Sequence, residues 1–359
     1  MCIDSSCSGR RTYGPPYGPL PQLPIEVWEN VIDEFYEDEE ELKKFTLICR
    51  AWSFRSRYHL LVESKLRSRD QVVHFARVVR SSTSHAKAVR VLCLYGSDSG
   101  LVRFVGVAAA MLAGKLPNVE ELALDKLTWD PRFLHPQVFL HFSTAFASVR
   151  ELGLTIVTFP SVQSFGRLIC SLPSLKVLLC MNIKFSARGF NADAFCIPKI
   201  LLTHLRLYEQ GIGEIIDFIL ATGLAARLED IVLDEPSWAS ALRICAPVPC
   251  QKLFEISIKI LASGSMDIVE RLQTLLEPHV CAEVDESLSS KKKYPIFSAI
   301  VFNLGVHDND TEPLLAELGD MIVSRFPKLH RRGVLTVEAH RWIDSPYGRR
   351  VCAPEIVRN

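Results

Sequence analysis

A short unit of the form apolar-x-x-apolar-x-apolar returns seven times between Val89 and Ile258, and it constrains the fold more tightly than any other feature. Val119-Glu120-Glu121-Leu122-Ala123-Leu124 is one copy; Leu202-Thr203-His204-Leu205-Arg206-Leu207 is another. The central apolar residues Leu92, Leu122, Leu152, Leu178, Leu205, Ile231 and Ile256 stand 30, 30, 26, 27, 26 and 25 residues apart. Period-two alternation inside each unit predicts a short strand. Helix-like apolar runs lie between units, such as Leu101 to Leu112 and Ile212 to Leu220. Each repeat therefore reads as one strand and one helix. A single repeat cannot bury its own apolar face, so the repeats must stack. The expectation is an α/β solenoid over residues 66–340, folded as one quasi-continuous body.

This spacing sits at or just above the range of roughly 20–29 residues found in leucine-rich repeats. The series resembles a leucine-rich-repeat-like solenoid with long, irregular repeats. The asparagine that many such repeats carry after the strand is absent from all seven units. The next candidate strand, Phe297-Ser298-Ala299-Ile300-Val301-Phe302, centres 44 residues after Ile256. Ser289-Ser290-Lys291-Lys292-Lys293, inside that insertion, reads as a surface loop. Val334-Leu335-Thr336-Val337 is a last candidate strand, and residues 341–359 read as an irregular C-terminal tail.

The chain opens differently. Residues 1–21 are rich in Gly, Pro and Ser, which cannot bury enough surface to offset ordering entropy, so they read as a flexible tail. Residues 22–65 read as a helical module. Ile25, Trp28, Ile32 and Phe35 recur at helical spacing behind Leu23-Pro24, with Val27 and Val31 widening the apolar face. The acidic run Glu37 to Glu41 opens a second helix, where the macrodipole favours negative charge. That helix is expected to carry Leu42, Phe45, Cys49 and Trp52 on one stripe, with Leu47 and Ile48 on an adjoining face. Two helices cannot bury this much apolar surface in each other.

Leu23-Pro24-Ile25-Glu26-Val27-Trp28, followed by Leu47-Ile48-Cys49-Arg50-Ala51-Trp52, resembles the F-box. Together with Arg55-Ser56-Arg57-Tyr58-His59-Leu60 and the late Phe326-Pro327-Lys328-Leu329-His330, the chain is similar to F-box-like proteins of mushroom-forming fungi, which carry degenerate leucine-rich repeats. The resemblance implies a non-catalytic substrate-receptor subunit of an SCF-type ubiquitin ligase. It would dock a Skp-type adaptor, and through it a cullin, by Leu23, Pro24, Ile25, Val27, Ile32, Leu47, Ile48, Cys49 and Trp52. The bland alternative is a protein-binding scaffold whose helical module only caps the solenoid.

Other chemistries lack their signatures. Cys245 and Cys250 have no second ligand pair for structural zinc. His135 and His141 read as ordinary histidines. Gly211-Ile212-Gly213 lacks the third glycine of a dinucleotide loop. With no nucleophile elbow, phosphate loop or zincin motif, the chain reads as a non-enzyme without cofactor or metal. Lys+Arg and Asp+Glu are both 41, so no global field attracts nucleic acid or a membrane surface. Eleven scattered cysteines argue for a reducing compartment, and the chain reads as cytoplasmic and/or nuclear, a monomer within a hetero-complex.

Alternation also predicts a target face. The residues flanking each central apolar position should point away from the core. Glu121, Asp125, Glu151, Leu179, Met181, Arg206, Tyr208, Asp230 and Asp234 fall there. From Glu121 to Lys259, acids outnumber Arg and Lys on these positions by six to two. This face either receives a partner or is covered by residues 341–359, with Arg341, Arg349, Arg350 and Arg358.

Overall fold

The computed structural model describes residues 24–96, 104–129, 137–195, 200–208, 212–234, 252–261, 268–307, 312–344 and 350–355. The chain divides between Leu61 and Val62 into two units.

Three helices make the first unit: α1 (Ile25–Asp33), α2 (Glu39–Ile48) and α3 (Arg50–Val62). Pro24 stands at the N-cap of α1, and Asp38 caps α2 by accepting from the Glu41 amide at 3.0 Å. The expected single second helix is in fact two. Cys49 is fully extended (φ −158°, ψ 168°), which breaks the run and lets α3 leave in a new direction. Ile32 and Leu42 are buried. Around them Trp28 lies 4.9 Å from Trp52, Phe45 meets Trp52 edge-on at 5.4 Å, and Phe35 meets Phe45 edge-on at 5.2 Å.

The second unit is built on an eleven-stranded sheet. The seven predicted units form β2 (Val91–Tyr95), β3 (Glu121–Asp125), β4 (Glu151–Thr155), β6 (Val177–Met181), β8 (His204–Tyr208), β9 (Asp230–Asp234) and β10 (Glu255–Leu261). They pair in parallel and in one register, so Leu92, Leu122, Leu152, Leu178, Leu205, Ile231 and Ile256 form a single buried row. Each fully buried Leu or Ile of that row contributes about 1.5–3 kcal/mol. This second unit is an α/β leucine-rich-repeat-like solenoid. Helices such as Val105–Leu112, Val162–Cys170 and Ile212–Ala221 bury their apolar residues, and rings continue the core from Trp129 through Phe159 and Phe165 to Phe218. Gly166 is required here, because a Cβ would come within 2.6 Å of the Phe195 and Phe218 rings.

The strand exits are held by the backbone itself, and only one of the three that follow, after β6, carries an asparagine. Lys126, Ile156 and Asn182, directly after β3, β4 and β6, all adopt left-handed backbone, φ 53°, 53° and 54°. This turns their amides onto the next repeat. The Lys126 N–H donates to the Thr155 carbonyl (2.9 Å), that of Ile156 to Met181 (2.8 Å) and that of Asn182 to Tyr208 (3.1 Å). The backbone thus satisfies itself, and Leu127, Val157 and Ile183 fill the space beneath, all buried. Behind them β5 (Thr158–Ser161) and β7 (Lys184–Ala187) pair as a second, two-stranded parallel sheet that the periodicity did not announce. Gly96, at the first such exit, would place a Cβ 1.8 Å from the Lys126 carbonyl oxygen.

The ends differ from expectation. β1 (Glu63–Leu66) pairs with β2, so the sheet begins before the expected boundary at residues 65 and 66. β11 (Ala299–His307) and β12 (Leu335–Asp344) extend the sheet in parallel, and β13 (Arg350–Glu355) closes it antiparallel to β12. The described part of the expected irregular tail, 341–344 and 350–355, is therefore strand. Those segments lengthen the sheet rather than lie across its face.

The long insertion is a helical block, including Ile268–Leu275 and Pro278–Ser289. Buried Asp285 accepts from the Lys328 amide (2.9 Å) and the Leu329 amide (2.8 Å), capping helix Pro327–Arg332. Arg332 donates to the carbonyls of Leu288 (2.7 Å), Tyr294 (3.1 Å) and Phe297 (3.2 Å). Lys291, Lys292 and Lys293 lie exposed in the turn between, as a surface loop should.

Candidate interaction surfaces

A part-buried charge cluster links α1 and α3 of the helical unit. Asp33 at the end of α1 accepts from Arg55 Nε (2.6 Å) and Nη2 (2.5 Å) on α3, and lies 2.7 Å from His59 Nε2. The Arg55 guanidinium, with His59 adding to it against the opposing effect of burial, holds the Asp33 carboxyl down at about 2. This bidentate pair fixes α3 against α1.

With the core closed in this way, apolar side chains remain outside. Ile25 and Val27 are 40% exposed, Leu47 is 86% and Ile48 58% exposed, and Cys49 is exposed. Pro24 is exposed at the N-cap, and Leu23 lies outside the described residues. One residue of the predicted docking set, Ile32, is fully buried and belongs to packing, while half-buried Trp52 meets Trp28 at a tilt and Phe45 edge-on. Phe54, 64% exposed, was missed together with Phe35, Tyr36 and Tyr58. Its signal was available: Trp52 and Ser56 share the inner face of α3 at four-residue spacing, and Phe54 and Tyr58 share another face in the same way.

On the solenoid, alternation places the predicted target residues on the open side of the sheet. Register aligns them in rows across the strands. One row, at the strand starts, carries Glu63, Glu121, Glu151, Asp230 and Glu255, interrupted by Val91 on β2, Val177 on β6 and His204 on β8. A middle row is smaller and more apolar, with Cys93, Ala123, Gly153, Leu179 and Val232 around Arg206. A third row, at the strand ends, holds Asp125, Thr155, Met181, Tyr208 and Asp234. Leu179, Met181 and Tyr208 are half-buried, whereas Val232 is close to fully buried. Burial raises the Glu121 carboxyl, and Glu151 and Glu63 push it the same way. Burial likewise raises Asp230, against the easing effect of His204 and Arg206, and raises Glu255, to which Asp230 adds.

Among the described residues, no group of three or more His, Cys, Asp or Glu side chains is placed to hold a metal ion. Cys93 and Cys281 are pushed up to about 11 by burial, and Cys180 is pushed higher still, so these thiols are poor nucleophiles. A hollow of about 490 Å³ is lined by Ala192, Asp193, Phe195, Ala221 and Thr222. The Thr222 hydroxyl there is already committed to the Phe218 carbonyl at 2.6 Å. Cys245, Cys250, His135 and Gly211 lie outside the described residues. No described helix is long and apolar enough to cross a membrane.

No family model matches this chain, and no curated protein matches it. Among solved structures, it is similar to the leucine-rich repeat-containing protein LegL7 from Legionella pneumophila. That likeness covers 86% of this chain and 88% of the other, at 12% sequence identity and a TM-score of 0.42.

Proposed function

We propose that this chain is a non-catalytic adaptor, in which the three-helix unit docks a Skp-type adaptor of an SCF-type ubiquitin ligase and the repeat sheet receives a target protein. One observation carries the reading. Of fourteen exposed large hydrophobic residues among those described, nine lie between Ile25 and Tyr58, so the smaller unit carries most of the exposed large apolar side chains. A small helical unit with a closed core and this much apolar surface outside is suited to a helix-in-groove dock. The F-box resemblance of Leu23-Pro24 and of Leu47 to Trp52 names the partner class. Recruitment of a cullin follows from the same docking.

The test uses the full chain with Leu47 and Ile48 both replaced by glutamate. Both are exposed, so the fold tolerates the change. Co-purification with a Skp-type adaptor and cullin should be lost, while circular dichroism of the solenoid stays that of the parent. Undiminished co-purification by the variant would overturn the docking surface and leave a repeat scaffold with a helical cap.

A further inference from the structure

Two pairs of like charges face each other on the open side of the sheet. Glu121 and Glu151 are register partners on β3 and β4, and Asp230 and Glu255 are register partners on β9 and β10. Carboxylates directly opposite one another across neighbouring strands repel. Among the described residues none of the four is ion-paired, and Lys65 is spent on Glu63 at 3.1 Å. His204 and Arg206 lie beside Asp230, yet burial outweighs them there. A metal ion does not answer this need, because a hard cation takes roughly six to eight oxygens in a cage, and each pair offers two side chains on an open sheet.

The geometry between the pairs is specific. β6 and β8 separate them and present Leu179, Met181 and Tyr208 together with His204 and Arg206, and Lys259 Nζ lies 5.8 Å from the centre of the Tyr208 ring. With strands about 4.8 Å apart, the centres of the two pairs are about 19 Å apart, which an extended chain spans in about six residues. Gly153, beside Leu179 in the middle row, leaves room for a side chain to settle on that apolar saddle.

We propose that the open sheet face takes an extended, bipartite basic segment of a partner protein, with Lys or Arg at two places about six residues apart and an apolar residue midway. Each basic group bridges one carboxylate pair, and the apolar residue packs on Leu179, Met181 and Tyr208. A guanidinium or ammonium between two part-buried carboxylates removes their repulsion and forms charge-assisted hydrogen bonds. This rests on the sheet being the receiving surface of the proposed adaptor.

The test is fluorescence anisotropy of the full chain with a synthetic peptide of about twelve residues carrying two Lys-Arg steps about six residues apart and a central leucine. Tight binding is expected at low salt, weakened about tenfold or more on raising salt from about 50 to about 300 mM. Neutralising either pair, as E121Q with E151Q or as D230N with E255Q, should weaken binding about tenfold, and neutralising both should abolish it. Leu179→Arg should abolish it as well, with thermal unfolding checking that every variant is folded. No binding of the basic peptide, or equal binding by the doubly neutralised chain, overturns the assignment. An uncharged peptide with the same leucine that binds as well, and is lost in Leu179→Arg, would keep the receiving face while rejecting the basic class.

Discussion

Asp33 and Ile156 are the two single residues whose chemistry reaches furthest. With its carboxyl held at about 2 by Arg55, Asp33 contributes stability that is fully present above the unfolded value of about 4. That contribution is lost as pH falls from about 4 through about 2. Asp33→Asn should therefore lower the helical unit's melting temperature at neutral pH and flatten its acid transition in that window; near-ultraviolet circular dichroism of Trp28 and Trp52 reads both. Ile156 is β-branched, 46% exposed and held at φ 53°, a conformation that costs such a residue roughly 1–2 kcal/mol. Asparagine tolerates that conformation and little buried surface is lost, so Ile156→Asn should raise stability by about 0.5–1 kcal/mol in chemical denaturation. A clear loss would mean that the isoleucine packs more tightly than its exposure indicates.

Among the elements, the strands were the most legible and the helical boundaries the least. Period-two alternation placed all seven central residues in one register because a one-residue slip would turn every leucine to solvent. Ile32 reads as a docking residue yet is buried, because an apolar stripe looks the same whether it faces a neighbouring helix or a partner. The break at Cys49 was hidden because cysteine carries no strong breaker signal; only its extended backbone reveals it. β5, β7 and β13 were missed because they are short or depart from the repeated unit. The open-face acids follow from register alone, and they carry a pH signature of opposite sign to Asp33. Glu121, Asp230 and Glu255 have raised carboxyls, so their ionisation destabilises the fold at neutral pH. Protonating them should raise the solenoid's melting temperature as pH falls from neutral towards the ordinary carboxyl value of about 4, and E121Q with D230N should remove part of that rise. Arg332 belongs to the same scale. Arg332→Met strands three carbonyls, and denaturation should show a loss of about 2–4 kcal/mol with early cleavage at Lys291–Lys293.

At the scale of the whole molecule, stacked repeats leave one side of a parallel sheet open and a separate helical unit carrying apolar surface of its own. Two surfaces of different chemistry suit a chain that joins two proteins: one apolar and helical, the other acidic around an apolar saddle. Independence of those surfaces is the central claim. Titration calorimetry of a purified Skp-type adaptor into the full chain tests it most directly. Replacing Leu47 and Phe54 by glutamate should weaken that binding by about a hundredfold or more, while Leu179→Arg on the sheet leaves it unchanged. An adaptor that fails to bind the parent chain, or binds the Leu47 and Phe54 variant as tightly, would contradict the account.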